Sequence, residues 1–537
     1  ERNAYVVLSL DFSRMTADAD PDTLRENFCE AVKGSLRTFF MRYGGRIPQL
    51  AGMYDELRGY HDAAGLMNNV LGVLAATGYK LYLLIDEYDN FANQLLSRGS
   101  GEVYEQVVVK RTGFVRGFYA ALKAGTASGA IRRMFITGVT PLLLDDLSSG
   151  FNIASPASQN PHLNTLAGFT RADVERAVDE LLAWRPKLAQ NPGLSDRASL
   201  LDALEQHYNG YRFSEGATER VFNSDMVLYF LKEVATLERY PDDMLDLNVR
   251  TDYRHLQRIG TLGGAQADDR RRLLESILTD GHIRSDLVRQ FGVKSLSSHA
   301  AFISLLYYLG MLTLRDAPRD VIGYDLEIPN RVIRELQWHH LAVMLDEQTD
   351  VSIKVDDLNV ALGAMAVTGD IAPFLDLFHT RVIKALGLKD TRRLDEKTIK
   401  LLFMTYASLG RAFHPLSEKE FAQGYCDLFL GASRNVAGVR YSWLLEFKYL
   451  PTAAKPAQIE AAFMEAEAQV ARYASDRDLL PLLLGDRELK AGMIVLVGTK
   501  KALFRPWPQP APEHGAKPAP ARPKGAKAAA SSPRKRG

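Results

Sequence analysis

RYSWLLEFKYL, residues 440–450, is the stretch on which the reading of the fold turns. Trp443, Leu445, Phe447 and Tyr449 form one alternating apolar set, and Ser442, Leu444, Glu446 and Lys448 take the opposite parity. Side chains of a strand alternate between its two faces, so this is a half-buried strand with an acid and a lysine two residues apart on one face. Alone, Glu-x-Lys has a plain structural explanation, an ion pair across strands on a solvated face. The neighbouring segments change that. Upstream, EKEFAQGYCDLFL (418–430) contains a strand at 425–431 in which Asp427 lies opposite Cys426, Leu428 and Leu430. Downstream, a helix over 457–475 repeats Ile459, Ala462, Phe463, Ala466 and Val470 at helical spacing, with Glu465, Gln469 and Tyr473 at i, i+4 and i+8 on one stripe. A last apolar strand, KAGMIVLVG (490–498), completes a small α/β unit that a helix opens after about residue 390.

Working outward, the N-terminal part alternates strands and helices on a larger scale. AYVVLSLDF (4–12), KLYLLIDEYD (80–89) and IRRMFITGVTPL (131–142) are short, continuously apolar runs separated by helical sequence. That pattern predicts a parallel sheet covered on both faces. From about residue 170 the chain turns helical, with Thr170 as N-cap of TRADVERAVDELLAW. Residues 220–385 read as mostly helical, with polar breaks near 262–270 and 316–330. The expected division is an α/β domain over 1–165, a helical lid-like region over 166–245 and a helical linker over 246–388. An α/β nuclease-like domain follows over 389–505, then a basic tail over 506–537.

Composition narrows the class. A length of 537 residues with 46% hydrophobic and 24% charged residues is ordinary for a soluble globular protein of several domains. No apolar run reaches the length that spans a bilayer, and no secretory signal opens the chain. Cys29 and Cys426 are too few and too far apart for a disulfide framework or a metal knuckle, so a reducing, cytoplasmic setting is expected. The net charge of +1 conceals an asymmetry: seven Lys and Arg against Glu513 give the Pro- and Ala-rich tail +6, leaving the remainder near −5. Such a tail cannot bury a core and is expected to be disordered; it is either a nonspecific nucleic-acid contact or a solubilising segment.

Two acidic constellations carry chemistry. In LLIDEYDN (83–90) an apolar strand delivers Asp86 and Glu87 at its C-terminal end, where ligands of open α/β sheets bind. An Asp that holds Mg²⁺ followed by a Glu that polarises water suits NTP hydrolysis, with Thr137 and Asp11 at the tips of the two neighbouring strands. In the second constellation, Asp427 and Glu446 supply the hard oxygen ligands that Mg²⁺ needs, and Lys448 can orient water and stabilise a pentavalent phosphate.

Residues 1 to about 235 resemble the AAA-ATPase-like domain found fused to nuclease domains in many bacteria. The resemblance rests on LIDEYDN (84–90), ITGVTPL…LSSGFN (136–152), GFT (168–170), HYNGYRF (207–213) and VFNSDMVLYFL (221–231). It implies a P-loop NTPase-like sheet binding ATP with Mg²⁺ through Asp86, Glu87 and Thr137. Yet no G-x-x-x-x-G-K-[ST] occurs; GVKS (292–295) lacks the first glycine. In the resembling family that loop lies just upstream of the strand that begins here at Ala4, so the chain reads as lacking its true N-terminus. The sequence as given thus holds the acidic half of an ATPase site without the lysine half, and ATP hydrolysis by this exact chain is left open. HYNGYRF reads chiefly as a turn in which Gly210 takes positive φ.

Residues 390–500 resemble the PD-(D/E)XK nuclease superfamily. The resemblance implies metal ligation by Asp427 and Glu446, catalysis with Lys448, a supporting Gln469-x-x-x-Tyr473 helix motif like that of the exonuclease-like branch, and Glu396 as the acid of the first helix. Two positions depart from the pattern: Gly424-Tyr425 replaces Gly-Arg, and Cys426 replaces the proline before the acid. The sequence thus points to a Mg²⁺-dependent deoxyribonuclease regulated by an ATPase-like module, with DNA as partner. The competing reading is a degenerate nucleic-acid-binding protein with a nucleotide-sensing switch. Homo-oligomerisation and a regulatory protein partner are both left open.

Overall fold

The computed structural model describes residues 4–508 apart from 19, 111, 142, 144–145, 148–150, 191–193, 195, 242, 247–266, 290–294, 297, 317–321, 350–352, 386–394, 411, 422–423, 434–435 and 437. The expected polar break at 262–270 falls largely outside the described residues, as does the expected tail from residue 509 onward.

The N-terminal unit is a three-stranded parallel sheet of order β1 (Val6–Asp11), β2 (Leu81–Asp86), β3 (Ile131–Ile136). Asp11 pairs with Asp86 in register, so both acids end their strands side by side. Helices α1 (Pro21–Tyr43), α2 (Ala63–Thr77) and α3 (Phe114–Ala127) supply the core, where Phe28 stacks on Phe12 at 5.1 Å and meets Phe118 edge-on. The expectation of a sheet covered on both faces is not met among the described residues. Leu8, Leu10, Leu83 and Ile85 are fully buried, whereas Ser9 and Asp11 on the other face are exposed and Phe135 is 41% exposed. An apolar run signals burial only on average; the helices present pack against alternate residues.

The middle region is an arm of helices, including α4 (Arg171–Trp184), α5 (Arg197–Tyr208) and α6 (Arg331–Thr349). Thr170 caps α4 through a capping box with Asp173, satisfying otherwise orphaned N–H groups. A small antiparallel sheet interrupts the helices, with β4 (His282–Ser285), β5 (Thr313–Leu314) and β6 (Tyr324–Glu327) in the order β4-β6-β5. Strands of two to four residues carry no readable periodicity, which is why this region reads as helix in the sequence.

The C-terminal unit opens with α7 (Glu396–Leu409), capped by Asp395, and continues as β7 (Phe413–Phe421), β8 (Gly424–Ala432), β9 (Tyr441–Leu450), α8 (Pro456–Ala474), β10 (Glu488–Val497) and β11 (Lys501–Pro506). The sheet order is β11-β10-β9-β8-β7; β9 and β10 are parallel and the other pairs antiparallel. The strand that opens the sequence argument is not half-buried: Trp443, Leu444, Leu445, Glu446 and Phe447 are all buried. Trp443, Leu445 and Phe447 pack into the main core, where Phe447 meets Phe403 of α7. Leu444 joins Ala462, Phe463, Ala466 and Val470 of α8 on the other face. Among the described residues, no helix is long and apolar enough to cross a membrane.

Candidate active site

The site lies where two paired strands part. β8 pairs with β9 only through Leu428↔Leu445, Phe429↔Leu444 and Leu430↔Trp443. One step further, Asp427 and Glu446 replace the backbone ladder with their side chains. The Phe447 N–H donates to Asp427 Oδ2 at 2.9 Å, and the Asp427 N–H points to Glu446 Oε2 at 3.4 Å. Buried backbone donors need partners, and here carboxylates provide them. The alternation expected for β8 holds from Leu428 onward, whereas Cys426 packs with Phe429 in the smaller core beneath α8.

Two acids brought together in a protected cleft cannot both ionise cheaply. Glu446 is only 2% exposed. Burial, then the field of Asp427, pushes its carboxyl up to about 8. Burial also raises Glu396, with Lys448 and the Tyr449 N–H opposing; that N–H donates to Glu396 Oε2 at 3.2 Å. Glu396 therefore reaches β9 from the first turn of α7, two residues past Phe447.

Lys448 lies 3.0 Å from Glu465 Oε1. Burial disfavours its charge, but the bond to Glu465 and the fields of Glu396, Glu465 and Glu446 outweigh this and raise its pKa. Along α8, Glu465 touches Lys448, and Tyr473 lies in the field of Glu446 and Asp427. Gln469 sits midway on that stripe, and its Oε1 is buried with no hydrogen-bond partner among the described residues. Sequence reasoning missed Lys400, one turn beyond Glu396 on α7: its ammonium is buried and 3.4 Å from Asp427 Oδ1. The i, i+4 spacing of Glu396 and Lys400 was the available signal.

No three Asp, Glu, His or Cys side chains close on one point as a metal cage among the described residues. The donor set nevertheless suits Mg²⁺, which takes one or two carboxylates and keeps several waters. Asp427 and Glu446 are two adjacent hard-oxygen donors that a divalent cation would let ionise together, and the buried Gln469 carbonyl oxygen lies on the helix stripe that also carries Glu465 and Tyr473.

At the N-terminal constellation, Thr137 Oγ1 donates to Asp86 Oδ1 at 2.5 Å, and the Thr137 N–H donates to the Ile85 carbonyl at 2.8 Å. Glu87 follows with φ of 54°, a left-handed conformation uncommon outside glycine. Asp89, unremarked in the sequence, is fully buried and fixes the facing loop. It accepts from the Val139 and Thr140 N–H groups, the Thr140 hydroxyl and Asn93. A Cβ on Gly138 would meet the Tyr88 ring at 2.3 Å, so TGVT and DEYD interlock. Asp11 is turned locally toward the Ser13 N–H at 2.8 Å.

Residues 1–148 match the family model of a predicted AAA-ATPase, and residues 394–502 match that of the PD-(D/E)XK nuclease superfamily. No curated protein and no solved structure matches the chain.

Proposed function

The chain joins an AAA-ATPase-like domain to a PD-(D/E)XK nuclease superfamily domain, and from that premise we propose that it is a Mg²⁺-dependent nuclease that cuts DNA phosphodiester bonds under control of its ATPase-like module. The observation that carries this reading is the pair Asp427 and Glu446 at the parting of β8 and β9, with Lys448 two residues along β9. Asp427 and Glu446 would hold the cation, and Gln469 and Tyr473 would flank it from α8. A divalent cation there supplies positive charge opposite the phosphate. Lys448 stabilises the charge that develops on the phosphate in the transition state, exchanging exposed Glu465 for the substrate. Glu396 holds β9 in place through the Tyr449 N–H.

In the other unit, Asp86 would hold the Mg²⁺ of a bound ATP, Glu87 would orient water, and Thr137 would fix Asp86 beside the γ-phosphate. Tight nucleotide binding also needs a phosphate-cradling loop, and none occurs in this sequence. In this reading the ATPase-like unit regulates and the C-terminal unit cuts.

The test is a Mg²⁺-supplemented assay on plasmid and linear DNA with wild type, Lys448→Ala and Asp427→Asn. Wild type should cut, and Lys448→Ala should lose roughly 100-fold or more in rate while DNA binding persists. Asp427→Asn should lose both metal binding and cleavage. Equal cutting by all three proteins would end the enzymatic reading. DNA binding without cutting by wild type would favour the binding-module alternative.

A further inference from the structure

Lys400 is a charge that the proposed chemistry does not use. It lies on α7, 7% exposed, with its ammonium 3.4 Å from Asp427 Oδ1. A buried ammonium requires a carboxylate partner, because an unpaired one costs several kcal/mol. The contact is longer than the roughly 2.8 Å of a strong charge-assisted hydrogen bond, so it neutralises Asp427 without locking it. The other Asp427 oxygen is already engaged by the Phe447 N–H. Oδ1 is the oxygen that faces the ammonium.

Mg²⁺ and an ammonium cannot share that oxygen at close range, since they repel. Lys400 has somewhere to go. Glu396 stands one turn toward the N-terminus of the same helix and already feels the Lys400 charge. Glu preceding Lys at i, i+4 is the favourable order for a helical pair, and the flexible lysine stem can swing between the two acids.

We propose that Lys400 is a built-in rival of the divalent cation: it neutralises Asp427 and sets the metal affinity of the site by having to move toward Glu396 when metal binds. Lys400 is thus a positioning residue acting through Asp427. The inference rests on the metal-site reading above and deepens it. A site that holds metal only when the ammonium yields is tuned toward weak, reversible loading.

The test uses the full chain and Mn²⁺ alone, with bound metal read from loss of the free-ion electron paramagnetic resonance signal. Lys400→Met should bind Mn²⁺ about tenfold more tightly than wild type, which corresponds to about 1.4 kcal/mol. Lys400→Arg, which keeps the charge, should stay within about twofold of wild type. A merely structural lysine would not give tighter binding on removal. Lys400→Gln serves if the Met variant fails to give a native-like melting curve. Unchanged or weaker binding in a folded neutral variant would overturn the inference and leave the metal site standing, provided Asp427→Asn still abolishes binding. If wild type binds no Mn²⁺ in the site, both readings fall.

Discussion

An acid in the buried middle of a strand must be explained by its neighbours, and Glu446 illustrates how. Its ordinary value of 4.5 rises to about 8 because burial and Asp427 disfavour its charge. The folded state therefore keeps a proton that the unfolded chain releases above about pH 4.5. The stability this contributes is complete below that pH and is lost as pH rises through about 8. Glu446→Gln places a neutral amide in the same space. In chelator, the variant should gain on wild type by a few kcal/mol between about pH 5 and pH 9, read from urea midpoints, and Mg²⁺ should narrow the gap by restoring wild type. Parallel pH profiles would show that the carboxyl is not held protonated. At this scale the sequence was informative within elements and silent between them. Strand parity put Glu446 and Lys448 on the face that meets α8, and helical spacing put Glu465, Gln469 and Tyr473 on one stripe. The spacing of Glu396 and Lys400 marked the lysine, but not its partner Asp427, which lies 27 residues away and is joined to it only by the packing of α7 against β8.

Among elements, the strands legible in the sequence are those with apolar runs, and the missed ones have physical reasons. β7 carries His414, Pro415, Ser417, Glu418, Lys419 and Glu420. Such a sequence suits an edge of the sheet, where a proline is tolerated. β11, the opposite edge, likewise ends in Pro506. In HYNGYRF the positive φ expected at Gly210 is found, in the loop that follows α5 and leads to the bridge at Tyr211. Gly210 has φ of 108°, and a Cβ there would come within 2.0 Å of the Pro329 carbonyl oxygen. Asn330 clasps the same turn by donating to the Asn209 carbonyl at 3.0 Å, and Arg220 bridges it to Glu327. The turn thus pins α5 against the segment that leads into α6. Gly210→Ala demands both a strained backbone and a retreat of Pro329, so it should cost more than about 2 kcal/mol in the stability of the arm. Thermal melting and limited proteolysis between residues 200 and 340 will check this; wild-type behaviour in both would mean that the turn relaxes freely.

Across the whole molecule, the helical arm and the C-terminal unit are joined by a contact that buries ionisable groups. His207, at the end of α5 just before that turn, lies with its ring 6.2 Å from the ring of His414 on β7, the first strand of the nuclease sheet. His414 Nδ1 is 2.9 Å from Glu335 on α6, a close contact that gathers the arm and the nuclease unit around one acid. His207 is 6% exposed, and its Nδ1 is hydrogen-bonded to the Ala203 carbonyl at 2.8 Å. Burial lowers it to about 4, aided by Arg331 and His414 and opposed by Glu335. The folded state therefore resists a proton that the unfolded chain accepts near its ordinary value of 6.5. The stability at stake is present above about pH 6.5 and is lost as pH falls toward 4, with a linkage limit of about 3 kcal/mol. His340, also lowered to about 4 by burial, adds its own share on α6. His207→Phe fills the same space without a titrating group. Between about pH 7 and pH 4.5 its urea midpoint should fall less steeply than that of wild type, while the two profiles run parallel above pH 7. If acidification destabilises both proteins equally, the buried histidine is not what ties the joint between arm and nuclease sheet to pH.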